Sequence, residues 1–301
     1  MITFLAGGTG TPRLLRGVRQ IVFDPEIAVV ANTAEDSWIS GNHLSPTLDT
    51  LMFLFAGILN TRAWQGIRGD TFATHRYLER VGGREVPPIG DRARAFQIAR
   101  ANMLRQGRTI SEAARVQGDA LGITATILPM TDAAVATSVE TGDGIMPVSV
   151  YCSEYAGDAG IRRILRSGEE AVATDAVLAA LLASDAVIIG PDNPARGILP
   201  ILACRGVADA LEDRFVIAVS PFRDGALEEG CGAAFMRAAG YEPTSSGAYC
   251  AYADIVDVFV QDIRDPVEVE GSLRLNTRMW RERDSESLAW DIIAIVRQHA
   301  S

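Results

Sequence analysis

The stretch Gly7-Gly8-Thr9-Gly10-Thr11-Pro12-Arg13 follows directly on the apolar run Ile2 to Leu5, and this junction constrains the fold more than any other part of the chain. The run is short and apolar, which suits a buried strand, and the glycines then let the backbone turn and expose its amides. Thr11 followed by Pro12 reads as a helix start: a hydroxyl to cap free amides, then a proline whose missing donor costs nothing at the first helical position. The helix continues through Leu14, Leu15 and Val18. Strand, glycine turn and helix N-terminus together favour phosphate through amides and helix dipole. No Gly-Lys-Ser/Thr follows, so this is not a P-loop, and the third glycine of a dinucleotide fingerprint is missing from its place. The competing reading is a tight turn that only packs helix on strand.

Ile27 to Ala31 is a second apolar strand, ending in Asn32-Thr33-Ala34-Glu35-Asp36-Ser37. Strand, helix, strand is a βαβ unit whose handedness puts both strand ends on one edge, so Asn32, Glu35 and Asp36 should lie beside the glycine loop. A long connection through Trp38 and Ser45-Pro46 leads to Asp49, a helix cap by residue type, with Leu51, Phe53, Leu54 and Ile58 as the apolar side. From Trp64 to Gly118 the pattern is helical and includes the capping box Thr109-Ile110-Ser111-Glu112. Ala125 to Leu128 reads as a strand. Ala136 to Glu140, Val148 to Tyr151 and Ile161 to Leu165 read as further strands in a β-rich excursion. Alternation returns with a helix at Ala173 to Leu182 and strands at Ala186 to Ile189, Phe215 to Val219 and Val256 to Val260. Helices are expected around Glu229 to Ala239, Ser246 to Ala253 and Ser285 to Gln298. The expected fold is α/β: a Rossmann-like, doubly wound, mainly parallel sheet formed by residues 1–62 and 173–301. Residues 63–172 form an inserted helical and β-rich lobe covering the ligand edge.

Composition narrows the function. A net charge of -10 argues against general nucleic-acid binding, which needs clustered cations. All 28 basic residues are arginine, so arginine must hold any phosphate. No apolar segment reaches the roughly 18 residues of a membrane span, and Met1-Ile2-Thr3-Phe4 lacks a signal pattern, so a cytoplasmic protein is expected. Cys152, Cys204, Cys231 and Cys250 are widely spaced and lack metal-ligand or redox patterns, so reduced thiols are expected. His43, His75 and His299 are too few and too scattered for a zinc site.

Four stretches, in order and spacing, carry a resemblance: Gly7 to Pro12; Asn32-Thr33-Ala34-Glu35-Asp36 with Ser45-Pro46-Thr47-Leu48-Asp49-Thr50; Gly69-Asp70-Thr71-Phe72 with Gly90-Asp91-Arg92; and Ile189-Gly190-Pro191-Asp192-Asn193-Pro194. With Leu128-Pro129-Met130-Thr131-Asp132 and Val219-Ser220-Pro221, they resemble the 2-phospho-L-lactate transferase family, which makes the deazaflavin coenzyme F-420 of methanogens and other archaea. The resemblance implies a homodimer and a magnesium-dependent transfer. Lactyl-2-diphospho-5'-guanosine gives its 2-phospholactyl group to the ribityl hydroxyl of the deazaflavin Fo, and GMP leaves.

Carried over by position, Gly8, Thr9, Gly10, Thr11 and Arg13 hold the diphosphate, and Asn32, Gly190 and Asn193 border the nucleotide. Asp49 is the first choice for metal ligand or base, with Asp36 beside it for Mg2+ and catalysis. Thr71, Phe72, Asp91 and Arg92 fall, with Asp49, on the acceptor side. The chain also departs from the family. Gly90-Asp91-Arg92-Ala93-Arg94-Ala95-Phe96-Gln97 lacks an aspartate, a threonine and a histidine that relatives tend to carry. Asp192 replaces a serine and puts like charge near a diphosphate unless magnesium or Arg196 intervenes. The alternative from another class is a non-catalytic nucleotide- or sugar-nucleotide-binding regulator.

Overall fold

A computed structural model describes residues 1–155, 160–168, 170–223 and 230–299. Its centre is a seven-stranded sheet. In chain order its strands are β1 (Ile2–Ala6), β2 (Ile27–Ala31), β5 (Thr126–Pro129), β9 (Ala186–Ile189), β10 (Val216–Val219), β11 (Val258–Asp262) and β12 (Leu273–Leu275). The spatial order is β12-β11-β10-β9-β1-β2-β5 and every pairing is parallel. The order therefore reverses between β1 and β9, which is the switch point of a doubly wound sheet.

Continuous apolar runs form these strands because both faces are covered. Ile2, Phe4 and Ala6 point into one core with Val29, Ile188 and Ile217, while Leu5 points into the other with Val30, Val187 and Ala218. Helix α1 (Gly10–Val18) and the C-terminal helix α12 (Glu282–His299) cover the first face. They cross so closely that a Cβ on Gly17 would stand 2.1 Å from the Ser285 carbonyl oxygen, and only glycine permits that approach. The other face is covered by α7 (Asp175–Leu182), α8 (Leu199–Leu202), α9 (Val207–Leu211), α10 (Cys231–Ala238) and α11 (Ser245–Cys250).

Between β2 and β9 the chain forms a helical part and a β part. The helical part holds α3 (Ala73–Arg80), α4 (Asp91–Arg105) and α5 (Ile110–Ala120). The capping box at α5 is formed: the Glu112 amide donates to Thr109 Oγ1 and the Thr109 amide to Glu112 Oε2. A small antiparallel sheet of β6 (Ala136–Thr141), β7 (Gly144–Pro147) and β8 (Arg163–Ser167) follows, in the order β7-β6-β8. Between the two parts, β5 pairs with β2 as the edge of the main sheet, so residues 126–129 belong to the core although the expected lobe ran from 63 to 172.

Other expectations need correction. Val148 to Tyr151 reads as a strand from its residue types, but Val148–Val150 is a helical turn (α6) running into a π-helix, Tyr151–Tyr155. Burial of Val148 and Tyr151 in the core overrides strand propensity. The connection before Asp49 contains a hairpin of β3 (Ser37–Ile39) and β4 (Asn42–Leu44), turned by Ser40 and Gly41 at φ 50 and 79. Asp49 does not cap α2 (Pro46–Phe55); that helix opens at Ser45 and Pro46, one turn earlier. Cys152 and Cys231 form a disulfide joining the π-helix to α10, with Cα atoms 5.3 Å apart, whereas Cys204 and Cys250 are free. No helix among the described residues is long and apolar enough to cross a membrane. Glu229, where a helix is expected to begin, lies outside the described residues.

Candidate active site

The segments leaving β1, β9 and β10 meet over a cavity of about 590 Å³. Gly7 to Gly10, Pro191 to Asn193 and Ser220 to Arg223 reach it from the sheet edge, and α2 contributes Pro46, Thr47 and Thr50. This is the crevice outside the carboxyl ends of the strands at the switch point, where doubly wound sheets bind ligands. The volume falls in the range that takes a small molecule. Of the expected residues, Gly8, Thr9, Gly10, Arg13 and Asn193 line it directly.

The glycine loop differs in chemistry from its sequence reading. Its amides converge on an anion, but that anion is the carboxylate of Asp192. Oδ1 accepts from the amides of Gly10 at 2.7 Å and Thr11 at 3.3 Å. Oδ2 accepts from the Gly7 amide at 2.9 Å and from the Thr11 hydroxyl. Thr11 therefore caps nothing; Thr9 holds the N-cap position and Thr11 lies inside α1. The glycines are needed for close approach: a Cβ on Gly10 would stand 2.0 Å from the Pro191 carbonyl oxygen, and one on Gly190 would stand 1.8 Å from Thr11 Oγ1. The loop is thus filled from within, and Gly190 serves this packing from behind the cavity wall.

Arg196 forks onto Glu35, Nε to Oε1 at 2.5 Å and Nη2 to Oε2 at 2.7 Å, so the expected neutraliser of Asp192 serves another carboxylate. Asn32 is buried behind this pair, accepting from the Ala34 amide and donating to the Arg196 carbonyl. Asn193 Oδ1 accepts from the Arg196 amide at 3.0 Å, fixing the turn that presents Asp192.

Asp49 and Asp36 lie in a separate buried cluster beneath the β3–β4 hairpin. Asp49 Oδ1 accepts from Arg100 Nη2 at 2.6 Å and Oδ2 from Gln97 Nε2 at 3.0 Å, while Arg100 also donates to the His43 carbonyl. Gln97, within the Gly90 to Gln97 stretch, thus bonds directly to Asp49. Burial pushes the Asp49 carboxyl up and Arg100 pulls it back; Asp36, bonded to Ser45, is pushed well up by burial. Both oxygens of Asp49 are spent on nitrogen donors, and among the described residues no three His, Cys, Asp or Glu are grouped to hold a metal. As folded, Asp49 offers a magnesium ion no free oxygen, whereas Asp36 Oδ2 is buried with no hydrogen-bond partner.

Thr71, Phe72, Asp91 and Arg92 form the junction of α3 and α4, outside the cavity lining. The two helices exchange caps. Asp91 of α4 accepts from the Ala73 and Thr74 amides and from the Thr71 hydroxyl, whereas Asp70, before α3, accepts from the Arg92 and Ala93 amides. These hydrogen bonds hold the Asp91 carboxyl far below its ordinary range.

His43 gives the cluster a readable pH signature. Burial, with Arg100 adding to it, lowers its pKa from 6.5 to about 4. The folded ring stays neutral while the unfolded one takes a proton, so stability present above pH 6.5 is lost as pH falls towards about 4. Asp36, whose Oδ2 is 3.9 Å from His43 Nε2, acts with the opposite sign because its pKa is raised. Comparison with His43→Gln isolates the histidine: between pH 7 and 4, wild type is expected to lose up to about 3 kcal/mol more than the variant in denaturant titrations. Equal pH slopes would overturn the assignment.

Sequence reasoning missed Arg223, two residues beyond the recognised Ser220-Pro221, and Trp64, which lines the cavity with Arg13 and Arg16 at 5.1 and 4.9 Å from its ring centroid. The strand-end position of Arg223 was the available signal. The sequence profile of the family described as 2-phospho-L-lactate transferase CofD matches residues 2–298. The chain is 48% identical over 299 residues to the 2-phospho-L-lactate transferase of Methanocorpusculum labreanum, covering 98% of each chain. It is 37% identical over 305 residues to that of Methanocaldococcus jannaschii, covering 97% of each. A crystal structure of a UPF0052-family protein from Bacillus halodurans shares the fold, with TM-score 0.55 at 16% identity over 95% of this chain and 90% of that one. Matched by the family profile over nearly its whole length and by relatives at 37% and 48% identity, the chain belongs to the 2-phospho-L-lactate transferase family.

Proposed function

We propose that the chain transfers the 2-phospholactyl group of lactyl-2-diphospho-5'-guanosine to the ribityl hydroxyl of the deazaflavin Fo. The relatives named above carry the transferase name, and the observation that carries the reading here is the arginine-lined cavity at the switch point. Transfer forms a bond from the hydroxyl oxygen to the lactyl-bearing phosphorus, breaks the bridging P–O bond and releases the hydroxyl proton and GMP. Such a reaction is driven by positioning and by charges fixed where the leaving phosphate develops its own. Arg13 and Arg223 supply positive charge on the wall, while Arg196 is paired with Glu35. Asp49 reaches the reaction only through a change in its pairing with Arg100, and a homodimer and a cytoplasmic location complete the proposal.

Purified protein incubated with the guanosine donor and Fo should yield GMP and the phospholactyl deazaflavin, followed by chromatography with deazaflavin fluorescence. Absence of both products, with and without added magnesium, would refute the proposal.

A further inference from the structure

One wall of the cavity is tied by a covalent bond. Ser149, Cys152 and Ser153, from the helical turn and π-helix that follow β7, line it together with Gly232 of α10. The Cys152–Cys231 disulfide joins these two elements across 79 residues of chain. Apolar packing accompanies the bond: Tyr151 is fully buried, and its ring centroid lies 6.2 Å from that of Phe235 on α10. Tyr151 docks the start of the π-helix on the core, and the disulfide fixes the next residue at the cavity.

The two sulfurs are not equivalent. Both cysteines are half-buried, but Cys152 is among the residues that line the cavity and Cys231 is not. Cys231 is the first residue of α10, where free amides and the helix dipole favour negative charge, and Arg196 Nη1 lies 3.9 Å from its Sγ. Glu35 takes the same guanidinium through Nε and Nη2, which leaves Nη1 on the side of the sulfur. In thiol–disulfide exchange the accessible sulfur is attacked, and the sulfur better able to carry negative charge leaves faster. Access and charge therefore agree on the same direction of opening.

We propose that Cys152 and Cys231 form a thiol–disulfide exchange site for a dithiol reductant, and that reduction loosens the cavity wall at residues 149–153. A thiolate of the reductant attacks Cys152 Sγ, the S–S bond breaks, and Cys231 leaves as a thiolate beside Arg196. The second thiolate of the reductant then attacks the reductant sulfur bound to Cys152, closing the reductant's own disulfide and releasing Cys152. Two electrons pass to the protein, the dithiol is oxidised to a disulfide, and its two protons end on Cys152 and Cys231. In a reducing compartment, where the proposed location puts the chain, disulfides are usually transient, catalytic or sensing. The exchange chemistry stands apart from the transferase reading; its effect on GDP rests on that reading.

The test uses the chain carrying Cys250→Ser, which removes the exposed free thiol, after oxidation with diamide. A short pulse of glutathione followed by iodoacetamide should leave glutathione on Cys152 and the alkyl group on Cys231, read by peptide mass spectrometry. The reverse pattern overturns the assignment of the attacked sulfur, and alkylation of both cysteines without a pulse overturns the site. Hydrogen exchange in peptides covering residues 148–155 should speed up by about tenfold after dithiothreitol, whereas a Cys152→Ser/Cys231→Ser variant should exchange at the reduced rate with or without it. Equal exchange in the oxidised and reduced chain overturns the dependence of the wall on the bond. GDP should bind about fivefold more weakly to the reduced form by calorimetry, because a fixed wall is preorganised for its ligand. Equal affinities overturn the link to the cavity. GDP binding by neither form removes the guanosine donor instead, and the exchange and trapping results still decide the redox site.

Discussion

Asp192→Ala is expected to lower the free energy of unfolding by about 3–5 kcal/mol, because it strips a carboxylate from three amides and a hydroxyl at once. Gly7 and Thr11 are buried, so their amides cannot turn to water for replacement partners. Asp192→Asn keeps the shape but turns one acceptor oxygen into a donor, which would face the Gly7 amide or the Thr11 hydroxyl. It should therefore recover less than half of the loss. The vacated cradle remains an anion site at the start of a helix, so formate should raise the melting temperature of Asp192→Ala and leave wild type nearly unchanged. A denaturant midpoint within error of wild type would show that the loop does not depend on Asp192.

The second large effect belongs to Arg100 and Asp49. Arg100 is fully buried and Asp49 nearly so, and removing one partner leaves the other charge stranded. Arg100→Met should cost about 3–5 kcal/mol, whereas Arg100→Met combined with Asp49→Leu should recover most of it, since a buried ion pair and its apolar replacement are often of similar stability. Losses that simply add in the double variant would show that the two side chains are not coupled. The same double variant separates structure from chemistry: a folded protein that binds GDP but no longer makes product assigns Asp49 to the reaction, and one that turns over normally makes the pair a strut.

How much of this was legible in the sequence follows from the range over which each signal acts. The strands β1, β2, β9 and β10 were read from apolar runs because burial on both faces demands such runs. The hairpin of Ser37–Ile39 and Asn42–Leu44 was not, because its residues alternate weakly and only Ser40-Gly41 marks the turn. Strand β12, Leu273–Leu275, is three residues long and half-exposed, too short to announce itself. At the site, the glycine loop was read as a turn behind the first strand, but its occupant lies 182 residues from Gly10 in the chain, and no local pattern pairs them. The disulfide shows the same limit, since Cys152 and Cys231 are 79 residues apart and spacing alone does not choose between partners.

The crossing of α1 and α12 at Gly17 bears on how the protein is made. Strand β1 leaves the ribosome first, yet its neighbour β9 begins at Ala186 and the helix that shields its first face ends at His299. During synthesis at ~5–20 residues per second, the glycine loop waits many seconds for the segments that bury it. Vectorial folding from the N-terminus therefore cannot finish the site early. Until the helix Glu282–His299 emerges, the apolar face that it shares with β1 lacks one of its covers.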